Sequence, residues 1–394
     1  PRAPKDEAEA ARLRAEMVGR LRTSGALHDT AVERALLSVP RHLFLPFRSL
    51  AEAYENVAVA TRWERGAAVS SVSQPEIVAL MLEQLHVTPG MRVLEIGAGA
   101  GYNAALLAEL VGPAGSVTTI ELDPELASEA AAHLAVAGYS PARARVIAGD
   151  GWAGRAEGAP WDRIEATAGV WDISPAWVEQ LAPGGVLLAP LWLGVTDVSV
   201  ALRKRAAALV SESWALCGFV RMRGAGMGQM PPITIAGRRS LSGPAAEELA
   251  PRVERLLRLP SRRLRWDSPG PGFIPTLALQ AGGMLTLWQN GPAGLTRPRG
   301  RYALYREGPD GPSLALFSER AHTLLAFGDM AAERFVREQS AMYQAHGPLA
   351  PGAWGLSVWP SPGEPPALAG VVRLRAPHWM YDFSVAPAEL SELL

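Results

Sequence analysis

The sequence predicts an α/β protein with a doubly wound parallel sheet, followed by a second domain of the α+β class. Between Met91 and Leu193, short apolar runs such as "RVLEI" and "SVTTIEL" alternate with amphipathic segments such as "NAALLAEL". This alternation is typical of parallel strands joined by crossover helices. After Gly224 the pattern changes, because a Gly- and Pro-rich stretch precedes several strand-like runs and one long amphipathic segment.

The individual elements follow from apolar spacing. Residues 7–37 have helical periodicity interrupted once, which predicts two helices, and an irregular region follows as far as Val72. A helix is expected over residues 75–85, with proline in its first turn. In the second domain, "TLALQ" and five other runs are predicted strands, and a helix capped by Asp329 ends at Gly347. The predicted regions are 1–74, 75–225 and 235–394.

Composition limits the classes of function. The 394 residues have a net charge of −1, so no overall field favours nucleic acid or an anionic membrane. The single Cys217 excludes an intramolecular disulfide, and the seven histidines show no metal-ligand spacing, so no metal site is expected. No apolar run approaches the roughly 20 residues of a membrane span, and the charged N-terminal stretch is unlike a signal peptide. A cytoplasmic monomer without nucleic-acid or membrane partners is the expectation.

A glycine-rich turn follows the first strand of the predicted sheet. The strand ends at Glu95 and Ile96, and the turn places glycines at 97, 99 and 101 around Ala98. Missing side chains let the backbone approach a ligand closely, and the following helix offers unpaired N–H groups. Ligands bind at this carboxyl edge in open α/β sheets. The turn therefore predicts a binding site for a nucleoside.

The ends of the next two strands supply further candidates. Glu121, followed by Leu122, can accept hydrogen bonds from ribose hydroxyls, whereas Asp150 and Gly151 in "GDGW" are placed to contact adenine. A dinucleotide fingerprint would have its third glycine at the position of Tyr102, so S-adenosylmethionine is favoured over NAD. The predicted cofactor-binding residues are Glu95, Gly97, Ala98, Gly99, Gly101, Glu121, Leu122, Asp150, Gly151 and Thr167.

Segments on both sides of this turn resemble a known family. They are "VPRHLFLP" (39–46), "AYENVAV" (53–59), "SVSQPEIVALMLEQL" (71–85), "GDGW" (149–152), "APWD" (159–162), "LAPGGVLLAPL" (181–191) and "FVRM" (219–222). Through them, residues 1–225 resemble the protein-L-isoaspartate O-methyltransferases. The resemblance implies a Rossmann-like class I methyltransferase fold and transfer of a methyl group from S-adenosylmethionine to an aspartyl or isoaspartyl carboxylate. It also implies a lid and substrate-binding role for residues 1–74.

The resemblance places Ser73 between methyl donor and acceptor carboxylate, with Ser71 and Gln74 beside the same pocket. A carboxylate is already ionised at pH 7, so the reaction needs positioning rather than a general base. A neutral hydroxyl suits this task because it orients the nucleophile without neutralising it. The alternative is that Ser73 only caps the helix that begins at Pro75.

The sequence departs from the family pattern after the fourth strand, in "ATAGVWDISPAW" (166–177). This loop should border the acceptor site, which makes Thr167, Trp171 and Asp172 candidates for substrate specificity. A core tryptophan and a helix-capping aspartate are equally plausible roles. Arg221 is a candidate for binding a second carboxylate, or is simply a solvated strand residue.

The extension after residue 225 is the larger departure. Relatives with such extensions include maturases of ribosomally made peptides, which methylate an aspartate so that a succinimide (aspartimide) forms. The favoured hypothesis is therefore a peptide-modifying carboxyl O-methyltransferase whose second domain recognises the peptide. The candidate aromatic residues for peptide binding are Trp288, Tyr302, Tyr305, Trp359, Trp379 and Tyr381, and packing within the core or the sheet is the alternative role. Alternatives are an isoaspartyl repair methyltransferase, a catalytically silent peptide-binding module and a nicotinamide-dependent oxidoreductase.

Overall fold

The computed structural model describes residues 4–64, 66–206, 208–227, 233–235, 239–243, 246–270, 272–281, 284–289, 301–318, 322–347, 355–360, 372–375 and 379–384. The chain divides into two compact units, unit 1 (Pro1–Leu191 and Val198–Met227) and unit 2 (Trp192–Asp197 and Gly228–Leu394). Residues 1–74 thus lie in one unit with the sheet. No helix of the described ranges is long and apolar enough to cross a membrane.

Unit 1 contains seven helices and nine strands among the described residues. The helices are α1 (Pro4–Thr23), α2 (Thr30–Ser38), α3 (Leu50–Ala53), α4 (Pro75–Leu85), α5 (Tyr102–Val111), α6 (Pro124–Val136) and α7 (Pro175–Gln180). The strands are β1 (Val59–Glu64), β2 (Ala67–Val72), β3 (Arg92–Ile96), β4 (Ser116–Glu121), β5 (Ala144–Ala148), β6 (Trp161–Ala166), β7 (Leu181–Trp192), β8 (Asp197–Lys204) and β9 (Leu209–Cys217).

The sheet of unit 1 is doubly wound, as predicted. Its strand order is β9-β8-β7-β6-β3-β4-β5, and the pairs from β7 through β5 are parallel. The chain leaves β3 toward β4 and β5 and then crosses back to β6 on the other side of β3. The carboxyl ends of β3 and β6 therefore form the switch point at which such sheets bind ligands.

The N-terminal helices α1 and α2 pack against α4 and α5. Asp29 accepts hydrogen bonds from Ala31 N and Val32 N, which starts α2 by side-chain capping. Met17, Leu36 and Leu106, from α1, α2 and α5, are fully buried in one apolar cluster. The predicted helices α1, α2 and α4 are thus present. The region before Val72, predicted to be irregular, instead contains the antiparallel pair β1 and β2.

Unit 2 is an α+β arrangement. Its helices are α8 (Ala246–Leu256), α9 (Phe273–Ala281) and α10 (Ala331–His346). Its strands are β10 (Ile233–Ile235), β11 (Arg239–Ser242), β12 (Arg262–Arg265), β13 (Leu285–Gln289), β14 (Arg301–Gly308), β15 (Gly311–Ser318), β16 (Thr323–Gly328), β17 (Gly355–Pro360), β18 (Val372–Arg375) and β19 (Trp379–Ser384). One sheet has the order β10-β11-β13-β14-β15-β16-β12, with antiparallel pairs throughout, and β18, β19 and β17 are neighbours in that order.

Two predictions for unit 2 were wrong. "TLALQ" lies in helix α9, because Phe273, Ile274 and Leu277 are all buried and a short apolar run does not distinguish a strand from a buried helix. Asp329 is not the N-cap of α10. That position belongs to Met330, which makes no side-chain cap, and the Asp329 carboxylate accepts instead from Met330 N at 2.6 Å.

Candidate active site

The glycine-rich turn connects β3 to α5 and has the backbone that its sequence predicts. Gly97, Gly99 and Gly101 have φ angles of +101°, +53° and +91°, which side-chain-bearing residues rarely adopt. A Cβ atom at Gly97 would lie 2.6 Å from the Thr167 hydroxyl oxygen. That hydroxyl donates to the carbonyl oxygens of Gly97, at 2.6 Å, and Ile96, at 3.0 Å. Thr167, which directly follows β6, therefore holds the glycine turn after β3 in place through these two hydrogen bonds.

Glu121 at the end of β4 holds the turn in place. Its Oε2 accepts from Gly99 N at 2.9 Å, and its Oε1 accepts from Asp123 N at 3.2 Å. An ionised carboxylate has about four acceptor positions, so two remain for ribose hydroxyls. Because Glu121 also lies on a cavity wall, the arrangement fits the nucleoside of S-adenosylmethionine.

A cavity of about 970 Å³, including its open mouth, lies over the carboxyl ends of β3, β4 and β6. It brings together most of the predicted site residues: Ser71, Ser73, Glu95, Gly97, Ala98, Gly99, Glu121, Leu122, Gly151, Thr167 and Arg221. Four predicted contact residues and the last glycine of the turn are not on its wall: Gln74, Asp150, Trp171, Asp172 and Gly101.

Asp150 organises the loop that was predicted to contact adenine. Its Oδ1 accepts from Trp152 N at 2.9 Å, and its Oδ2 accepts from Ala225 N at 2.6 Å. The carboxylate thereby joins the loop to the turn Gly224–Met227. Gly151 is required for packing, since a Cβ atom there would lie 2.4 Å from the Ile96 side chain.

Ser73 lies on the cavity wall at the start of α4. The N-cap of this helix is Gln74, without a side-chain cap, so capping by Ser73 is not observed. Within the described ranges, the Ser73 hydroxyl has no hydrogen-bond partner. The Gln74 amide donates to Glu76 at 3.4 Å, and Asn56 also donates to that carboxylate, at 2.8 Å. The serine hydroxyl is thus available to a ligand, whereas the glutamine side chain stabilises the helix start.

The loop 166–177, which departs from the family pattern, lies next to segment 219–223 beside the cavity. Gly169 N donates to Val220 O at 2.9 Å, and Met222 N donates to Gly169 O at 3.0 Å. The Arg221 guanidinium lies over the Trp171 ring, 5.2 Å from its centre, in a cation–π contact. Asp172 is 6% exposed and accepts from its neighbour Ile173 N at 2.9 Å. Trp171 therefore does not line the cavity itself but contacts Arg221, which does.

Glu165 and Asn103 also line the cavity, although they were not predicted as site residues. The Asn103 amide donates to both Glu165 and Glu95, at 2.9 Å in each case. Burial, reinforced at Glu95 by the charge of Glu165, raises the pKa of Glu95 to about 8, and burial raises that of Glu165 to about 7. The sequence signal that could have identified Glu165 is an acid within the buried strand "DRIEATA". It pairs in register with the acid of "RVLEI", Glu95.

Comparison with known proteins agrees with this geometry. Residues 12–225 match the protein-L-isoaspartate(D-aspartate) O-methyltransferase family. The protein-L-isoaspartate O-methyltransferase of Hyperthermus butylicus is 41% identical over 194 residues, 48% of this chain and 78% of that protein. That of Methanopyrus kandleri is 42% identical over 180 residues, 46% of this chain and 77% of that protein.

A solved structure of a protein-L-isoaspartate O-methyltransferase superposes with a TM-score of 0.51 at 24% identity. It covers 87% of this chain and 96% of its own, and this likeness supports the fold. The predicted fold class, family and cofactor are confirmed. The chain therefore belongs to the protein-L-isoaspartate(D-aspartate) O-methyltransferase family and is an S-adenosylmethionine-dependent carboxyl methyltransferase.

Proposed function

We propose that this enzyme methylates the carboxylate of an isoaspartyl or aspartyl residue in a peptide or protein. The observation that carries the proposal is the position of the Ser73 hydroxyl. It does not cap α4, and Ser73 lines the same cavity as the glycine turn and Glu121. Relatives that are about 40% identical are named for isoaspartate, which makes an isoaspartyl residue the first candidate acceptor.

The residues of the site have distinct roles in this reaction. Bound S-adenosylmethionine supplies an electrophilic methyl group, held through Glu121 and the glycine turn. Ser73 donates a hydrogen bond to the acceptor carboxylate and orients its reacting oxygen. No residue has to remove a proton, since the carboxylate is ionised at neutral pH.

A second candidate is an ordinary aspartate in a ribosomally made peptide. Support comes from the loop 166–177, which departs from the family pattern. In this loop Trp171 contacts Arg221 on the cavity wall, where the guanidinium is placed to contact the acceptor peptide. The methyl ester of either acceptor can be attacked by the neighbouring backbone nitrogen, with loss of methanol. Both therefore lead to the same succinimide, whose hydrolysis completes a repair and whose retention modifies the peptide.

Matched synthetic peptides that differ only in containing isoaspartate or aspartate test the proposal. Each is incubated with the full chain and S-adenosylmethionine, and mass spectrometry follows the added methyl group and the succinimide. Methylation of the isoaspartyl peptide alone supports repair, whereas methylation of the aspartyl peptide supports peptide modification. Absence of methylation on both, with cofactor bound, would refute the proposal.

A further inference from the structure

An acidic cluster, formed by Glu95, Asn103 and Glu165, lies buried beside the cofactor cavity. Glu95 and Glu165 are register partners on the parallel strands β3 and β6, and each is at most 1% exposed. Asn103 on α5 bridges them with one hydrogen bond to each carboxyl group. All three residues line the cavity over the carboxyl ends of β3, β4 and β6.

The cluster lacks a positive partner. Within the described part of the chain, neither carboxyl group forms an ion pair, and the buried Glu95 Oε2 has no hydrogen-bond partner. Two adjacent carboxylates without a cation resist simultaneous ionisation, which agrees with the raised pKa of both groups. The pair therefore retains a proton near neutral pH when the cavity holds no cation.

Other charges around the cluster do not compensate for it. The titratable groups on the surrounding elements are Arg92 on β3, Glu121 on β4, Tyr102 and Glu109 on α5, Asp162 and Arg163 on β6, and Arg221 and Arg223 on the cavity wall, whereas β7 has none. Of these, Glu121 raises the pKa of Glu95 further. The ligand of this cavity, in contrast, carries a sulfonium and an ammonium group.

We propose that the Glu95–Asn103–Glu165 cluster is a counterion site for the positive charge of S-adenosylmethionine, and that cofactor binding displaces a proton from it. The displaced proton passes to solvent, and the ionised pair then faces the cationic cofactor. Glu165 is a cofactor-binding residue in this scheme, because it faces the cationic cofactor rather than the methyl acceptor. The arrangement links cofactor affinity to pH.

Isothermal titration calorimetry of S-adenosylmethionine, with the full chain and no acceptor, tests the link. Titrations at pH 7 in buffers of different ionisation enthalpy give the number of protons released. The wild type should release protons, and its affinity should rise with pH by up to about tenfold per unit for one proton. Glu165→Gln should release fewer protons and show a flatter pH profile.

Glu109→Gln is the matched control, since Glu109 lies on α5 but contacts Tyr139 and Arg143 instead of the cluster. It should release as many protons as the wild type. If Glu165→Gln does not fold, as judged by circular dichroism, Glu95→Gln provides the same comparison. Equal proton release by wild type and the cluster variant would overturn the inference. Because no peptide is present, this result is independent of the proposed acceptor.

Discussion

At the scale of single residues, Ser73 carries a hydroxyl group whose structural role is small. Ser73 neither caps α4 nor bonds to other described residues, so its removal should leave the fold intact. Its sequence context, "SVSQP", predicts a role at the acceptor site through family resemblance, whereas the absence of a cap is a property of the fold. The hydroxyl is therefore a direct probe of acceptor positioning.

Ser73→Ala should lower kcat/KM for peptide methylation by about 10- to 100-fold, since a hydrogen bond to a charged group contributes about 1.5–3 kcal/mol. Affinity for S-adenosylhomocysteine should be retained, as measured by calorimetry. Ser24→Ala, on a residue whose hydroxyl bonds to Leu21 O away from the cavity, is the control. Unchanged methylation in Ser73→Ala would remove the serine from the mechanism.

The buried carboxyl pair predicts how stability depends on pH. The native state raises the pKa of Glu95 to about 8 and of Glu165 to about 7, above the ordinary value of 4.5. The folded protein thus holds protons that the unfolded chain has lost, and stability should fall as pH rises from 5 to 8. Urea denaturation without cofactor should show this decline, and Glu165→Gln should reduce it. A decline of equal steepness in both proteins would contradict the assignment.

At the scale of elements, the glycine turn shows how local sequence determines the backbone conformation at the carboxyl edge of the sheet. Gly97→Ala would combine an unfavourable φ with a Cβ atom 2.6 Å from the Thr167 hydroxyl oxygen. Gly90 has a similar φ of +88°, but nothing lies within 4 Å of its Cβ position. Each strained backbone should cost about 1–3 kcal/mol of stability.

Comparing these two variants separates backbone strain from crowding at the site. Both should unfold at lower urea concentration than the wild type, but only Gly97→Ala should also lose affinity for S-adenosylhomocysteine. Loss of affinity in Gly90→Ala as well would mean that global stability, rather than turn geometry, controls binding.

Predictability also differs between elements. The parallel strands and α4 were predictable because their apolar runs are bounded by glycine, proline and polar residues. The β1–β2 pair was missed because its burial pattern does not alternate clearly. Helix α9 was misassigned because its side chains are buried on several faces. Glu165 was missed because the chemistry of a buried acid depends on Asn103 and on its neighbour in register, which are spatial properties.

At the scale of the whole molecule, the cavity proposed for the cofactor belongs to unit 1, since its lining residues fall between Val69 and Arg223. A chain that ends at Met227 should bind S-adenosylhomocysteine with a Kd within about twofold of the full chain, as expected for independent sites. Isothermal titration calorimetry on the shorter chain and on the full chain measures the two Kd values. Loss of binding by a folded shorter chain would show that unit 2 contributes to the cofactor site.

Unit 2 remains the proposed peptide-recognition domain. Its candidate aromatic residues include Tyr302, which packs against Phe317 at a ring distance of 5.8 Å. Trp288, Trp359, Trp379 and Tyr381 belong to described strands, but their side chains lie outside the described part of the structure. If unit 2 recognises the peptide, the shorter chain should show a raised KM for the peptide with little change in kcat. An unchanged KM would assign peptide recognition to unit 1.

We propose that one cavity holds the adenosyl cofactor beside Ser73, at the carboxyl ends of β3, β4 and β6. A crystal structure of the full chain with S-adenosylhomocysteine tests it most directly. We expect the ribose hydroxyls to bind the Glu121 carboxylate and the sulfur atom to face the Ser73 hydroxyl. A ligand bound elsewhere, or a sulfur atom separated from Ser73 by other side chains, would contradict it.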